Sequence, residues 1–267
     1  MEATARKKKS LLNFFVLLFG ISIPFWVLGT IYDVQIFPGF RLFQLPLAMP
    51  MVAALILVYR EDGKTGVLTL LKRTYDFRNV KSKVWYVPIL LIFPSVGFLD
   101  YWIMRLWGFS IPPPDFSAAV LLSYCTVFFM TYAEELGLTG YAIDPMQRRY
   151  RALKSGILLG LAWAGYHIPG FIISGYYSFE WIFWHAIYTT ASRVLFVWVY
   201  NNAGKSLFSM ALLHWSFGLF WSLWPTDNLQ RAVPFYDPRI CAVVTICYAA
   251  IVTWLWGART LAKYRFS

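Results

Sequence analysis

An all-α, polytopic membrane protein with about eight transmembrane helices and both termini cytoplasmic is the fold this sequence predicts, and three observations carry it. The 267 residues are 59% hydrophobic and only 14% charged, whereas soluble domains run near about 45–50% apolar and about 25% charged. Several windows of about 17 residues or more are almost free of charge, the length a helix needs to cross a bilayer. The basic residues, finally, collect in alternate connections between those windows, the pattern that sets orientation in membranes.

The first helix is expected over 11–32, after Arg6, Lys7, Lys8 and Lys9. Its apolar run is too long for a signal-peptide core and no small-x-small cleavage site follows, so it reads as a retained span. The second, 43–59, contains Pro46 and Pro50 and follows Pro38. A basic segment, 60–83, comes next, with a short interfacial amphipathic helix expected around Val67–Arg73. The third helix covers 84–104 and ends before Pro112, Pro113 and Pro114.

The fourth, 118–142, carries adjacent carboxylates, Glu134 and Glu135. Arg148, Arg149, Arg151 and Lys154 lead into the fifth, 155–174, which repeats small residues at Gly156, Gly160 and Ala164, a close-packing pattern. The sixth (181–200), the seventh (206–224), a loop (225–239) and the eighth (240–256) complete the chain. Three units follow: N-terminal helices with their basic segment, 1–117; a four-helix core, 118–224; and a last helix with a basic tail, 225–267.

A net charge of +11 raises the question of nucleic acid, but its distribution answers it. Four basic residues precede the first helix, seven lie in 60–83 and four in 144–154, all on one side of the expected topology. The charge is therefore assigned to orientation and to anionic lipid, with no nucleic-acid partner. Cys125, Cys241 and Cys247 fall in apolar segments and form no disulfide framework. The absence of an N-x-S/T sequon fits an integral protein of a bacterial cell membrane.

Chemistry is concentrated in few residues. A charge at the bilayer centre costs about 2.5–3.5 kcal/mol on insertion scales, so two adjacent glutamates need a reason. All three histidines, His167, His185 and His214, also lie in apolar segments. At about 1.5 Å per residue, Glu134 is about 15 Å from the cytoplasmic end of its helix, His167 about 18 Å and His214 about 12 Å. Three titratable groups on three helices thus share a layer, as acid–base or metal chemistry requires. His185 enters from the other face.

The sequence Glu134-Glu135-Leu136-Gly137-Leu138-Thr139-Gly140-Tyr141 is similar to the E-E-x-x-x-R-G box of the CAAX protease and bacteriocin-processing (CPBP) membrane proteins. Trp163 through His167, followed by Ile168-Pro169, resembles their second box, and Ser206 through His214 their third, which reads H-x-x-x-N. The stretch 61–73, with Leu70-Leu71-Lys72-Arg73, resembles a cytoplasmic segment of bacterial members.

The resemblance implies an intramembrane endopeptidase without a metal cofactor, acting on a peptide or protein substrate near the cytoplasmic membrane face. In it Glu134 is the base that activates water, His167 assists, and His214 helps to hold the oxyanion. Glu135, Trp163 and Gly218 stand at supporting positions of the boxes. The oligomeric state is left open.

Two departures qualify it. Thr139 replaces the family arginine and Gly218 the family asparagine. An arginine at 139 would be one turn from Glu135. Arg193, the one other basic residue at membrane depth, is about 12 Å deep against about 13–14 Å for Glu135, so a pair between Arg193 and Glu135 is expected, with snorkelling of Arg193 to the headgroups as its rival. Three other readings stay open: a catalytically impaired scaffold or bacteriocin-immunity-type protein, a zinc protease with Glu134, His167 and His214 as ligands, and a transporter, for which no internal repeat is visible.

Overall fold

Twenty-one residues without a charge dictate the first element, α1 (Leu11–Ile31), which Ser10 caps by accepting from the Asn13 N–H at 3.3 Å. The computed structural model describes residues 10–37, 40–125, 127–223 and 237–262. Arg6 to Lys9, Pro38, residues 224–236 with Arg231, and the tail with Lys263 and Arg265 lie outside the described residues.

The order continues with α2 (Met49–Lys72), α3 (Tyr86–Leu106), α4 (Ala118–Cys125) and α5 (Val127–Gly137). A π-helical turn, Leu138–Ile143, joins α5 to α6 (Asp144–Tyr150). Then come α7 (Ala152–Ser174), α8 (Phe179–Asn202), α9 (Leu207–Ser222) and α10 (Pro238–Trp256). A small antiparallel hairpin of β1 (Gln35–Phe37) and β2 (Phe40–Arg41) follows α1. The protein is an all-α polytopic membrane protein, and among the described residues each apolar stretch expected to span is mainly helical. Among the described residues, six helices are long and apolar enough to cross a membrane. The apolar part of α9, Leu207–Leu219, is shorter.

Two glycines shape this arrangement. Gly63, at φ 64° and ψ −160°, divides α2, a conformation that residues with a Cβ seldom adopt. It separates the apolar part from the basic turns at 64–72, where the interfacial helix was expected. At Gly160 a Cβ would stand 2.7 Å from the Thr190 Cα, so α7 and α8 touch backbone to backbone, as the small-residue pattern predicts.

α8 is the axis of the bundle. Its apolar window is 72% buried against 33% or less for the other spans, so a polar group on α8 meets protein rather than lipid. That places Arg193 inside.

The basic connections meet at one end. Arg73 donates to the Gly140 carbonyl and to the Tyr200 hydroxyl, each at 3.0 Å, and Lys205 Nζ lies 2.9 Å from Asp144. Asp76 accepts from the Ser206 hydroxyl and from the N–H groups of Leu207 and Phe208 at 2.7–3.0 Å. It caps α9 from about 130 residues earlier in the chain, satisfying donors that a helix start leaves free. The Ala152 and Leu153 N–H groups bond the carbonyls of Arg259 and Ala258, each at 3.1 Å. Arg105 and Arg239, at the far ends of α3 and α10, lie at the opposite end.

Candidate active site

Consecutive residues of a helix point about 100° apart, so Glu134 and Glu135 cannot share their partners. Glu134 faces α7. Its Oε2 accepts from the Trp163 indole N–H at 2.7 Å and lies 3.9 Å from His167 Nε2. His167 Nδ1 is 2.9 Å from the Trp163 carbonyl. A carbonyl only accepts, so Nδ1 holds the proton, and in the neutral ring Nε2 keeps a lone pair toward Glu134.

Glu135 faces α8 and α9 and has no exposed surface. Arg193 Nη2 lies 2.8 Å from its Oε1 and Arg193 Nη1 donates to its Oε2 at 3.0 Å. The expected pair forms, and Arg193 does not snorkel. His214 Nδ1 donates to Oε1 at 2.9 Å, and the Thr139 hydroxyl donates to Oε2. Thr139 therefore supplies a neutral donor one turn on, while α8 supplies the charge that the sequence lacks at 139. The Arg193 Cζ stands 3.9 Å from the Trp163 ring centre and 4.5 Å from that of Phe196, within cation–π range.

Trp163 connects the halves. Its ring meets His167 and His214 edge-on, at 5.5 and 5.0 Å between centres. Below it Phe217 packs against Trp163 at 5.5 Å and against Phe93 at 5.0 Å, closing the floor. His167 is the more open member of the Glu134 side, with 21% of its side chain exposed against 5% for Glu134.

The structure thus brings together Glu134, Glu135, Trp163, His167, Arg193 and His214. His214 makes its hydrogen bond with Glu135, not with Glu134. His185 stands apart, buried and stacked on Trp181 at 4.6 Å. Among the described residues no three His, Cys, Asp or Glu side chains are grouped so as to hold a metal ion.

Gly218 lies one turn beyond His214, and a Cβ there would collide with the Tyr124 hydroxyl. Tyr124 is buried and donates to the Trp215 carbonyl at 2.8 Å. A phenol from α4 thus takes the space that a side chain at 218 would fill. Sequence reasoning missed Tyr124, and no local pattern marks it. It also gave Arg73 no role, though Arg73 was part of the quoted 61–73 stretch. In the structure Arg73 holds the Gly140 carbonyl of the π-helical turn that follows the glutamates. Such turns shift the hydrogen-bond register and concentrate at functional sites.

Residues 116–220 match the model of the family described as "Type II CAAX prenyl endopeptidase Rce1-like". The chain is also 25% identical over 224 residues to the CAAX prenyl protease 2 of Methanococcus maripaludis. That similarity covers 77% of this chain and 82% of the archaeal protein.

Proposed function

Both matches support the CPBP family, and from that premise we propose that this membrane protein is a CAAX-type intramembrane endopeptidase that uses Glu134 to activate water. The observation that carries the proposal is the unit of Glu134, Trp163 and His167. A carboxylate oxygen held by an indole N–H faces an imidazole lone pair across 3.9 Å. One water about 2.8 Å from each fits that gap and gives a proton to either acceptor.

In the reaction the water oxygen attacks the peptide carbonyl carbon while its proton passes to Glu134. The carbonyl oxygen becomes an oxyanion. Glu134 then returns the proton to the amide nitrogen, the C–N bond breaks, and an acid and an amine are released. His167 orients the water through Nε2. His214, tied to Glu135 through Nδ1, has Nε2 left for the oxyanion and donates there only in its protonated form. Glu135 and Arg193 neutralise each other and fix His214, so they are positioning residues. The substrate class is a protein or peptide tail at the membrane surface, with a prenylated C-terminal peptide as the first probe because the archaeal relative bears the name prenyl protease.

Purified full-length protein should cleave a farnesylated CAAX peptide, and Glu134→Gln should abolish the cleavage while leaving the thermal unfolding profile intact. Undiminished cleavage by Glu134→Gln would remove Glu134 from the role of base. Loss of wild-type activity in strong chelator would favour zinc instead. A second reading, a scaffold that keeps the fold without turnover, draws on Gly218, which leaves the site without the family asparagine. It predicts no cleavage of prenylated or plain peptides by wild type.

A further inference from the structure

Two cavities outside the glutamate site adjoin each other. The larger, about 830 Å³, is a groove between α7, α8 and α10, lined by apolar side chains such as Leu161, Phe183, Ile187, Ile246, Ala250 and Trp254. The smaller, about 420 Å³, sits at the basic end and is bounded by Arg149, Arg151, Lys154 and Arg259, with Tyr150 among them. Leu153 and Ala258 line both, so the two stand side by side. Among the described residues no acidic side chain lines either.

We propose that this composite cavity is a binding site for one anionic phospholipid of the cytoplasmic leaflet. The phosphate would sit among the four basic side chains and an acyl chain along the groove. Charge complementarity selects the headgroup, because a basic pocket between helices on the cytoplasmic side recognises anionic lipid. Length selects the chain. From Phe183 to Val194 the groove follows α8 for eleven residues, about 16–17 Å at the helical rise, against about 15 Å for half of a bilayer core.

The cup is built into the fold. Hydrogen bonds from the Ala152 and Leu153 N–H groups to the Arg259 and Ala258 carbonyls hold its two walls together. The Lys154 ammonium and the Arg149 guanidinium lie 5.4 and 5.1 Å from the Tyr150 ring centre, which gathers both cations on one support. The groove is on the outer side of α8 from the glutamates: Val194 lines it, while its neighbour Arg193 reaches Glu135.

The test is native mass spectrometry of delipidated full-length protein titrated with phosphatidylglycerol or phosphatidylcholine of equal chain length. Wild type should retain one phosphatidylglycerol in preference to phosphatidylcholine. In the triple variant Arg149→Gln, Lys154→Gln, Arg259→Gln the preference should fall by about a hundredfold, the combined effect of three basic groups near an anionic surface. Ala250→Trp, which fills the groove, should weaken retention of phosphatidylglycerol, and short-chain phosphatidylglycerol should bind weakly to wild type. Equal retention of both lipids by wild type, an unchanged preference in the triple variant, or equally tight binding of inorganic phosphate would each overturn the proposal. Circular dichroism and thermal unfolding of the variants check that they fold. Peptide cleavage is not a readout, so this result stands apart from the protease reading.

Discussion

Replacing Arg193 by Gln isolates the interaction that holds the second glutamate. The substitution keeps a polar side chain but removes the cation from Glu135, a carboxylate with no exposed surface. Contacts at 2.8 and 3.0 Å are lost, and so is the cation stacked over Trp163 at 3.9 Å. Removing one partner of a buried ion pair costs about 3–5 kcal/mol, because the other charge is stranded.

At about 2–4 °C per kcal/mol for a chain near this size, the apparent unfolding temperature of Arg193→Gln in detergent should drop by about 6–20 °C. Arg193→Lys should fall between the two, since an ammonium lacks the planar fork that meets both carboxylate oxygens. The double variant Arg193→Gln, Glu135→Gln should be more stable than the sum of its single changes, because no unpaired charge remains. Adding Thr139→Arg to Arg193→Gln should restore part of the loss by presenting a guanidinium one helical turn from Glu135. An Arg193→Gln protein within about 1 kcal/mol of wild type, or strictly additive effects at 135 and 193, would refute the assignment of this pair as the anchor of the site.

Three further predictions test other parts. Trp163→Phe keeps the ring but deletes the N–H on Glu134. Its turnover should fall roughly 10–150-fold, the worth of a hydrogen bond to a charged group, with a smaller change in thermal stability; steady-state cleavage kinetics decide. Gly218→Asn should destabilise by about 1–3 kcal/mol through overpacking on Tyr124, and Tyr124→Leu in the same chain should relieve it, as read by thermal unfolding. Asp76→Ala uncaps α9, at about 0.5–2 kcal/mol. Hydrogen exchange at the Leu207 and Phe208 amides should accelerate while that in the middle of α8 stays slow.

How much of the site was legible follows from what helical rise encodes. Depth is linear in residue number, so counting along each helix brought Glu135 and Arg193 to the same level, and the structure joins them. Rotation about the helix axis is another matter. The apolar residues of α9 occur on all its sides, with no stripe that sets one face apart, so the sequence carries no periodic signal for its inward face. That is why counting placed His214 with the glutamates but could not say that it bonds Glu135. Arg73 and Asp76 act across 67 and about 130 residues, and no local pattern announces partners so remote.

The sequence alone determined that the chain is a helical membrane protein and which long apolar segments are helical. The reason is that lipid forces every backbone polar group into internal hydrogen bonds, which leaves long apolar runs no other regular form. It also determined the residue types available for chemistry, because charge at that depth is too costly to occur without use. Tertiary structure decided their division of labour. The choice of Glu134 for Trp163 and His167, and of Glu135 for Arg193, His214 and Thr139, depends on the rotation and contact of four helices. The occupation of the space beside Gly218 by Tyr124 is of the same kind: it is a packing outcome, set by which side chains from distant segments fill one volume.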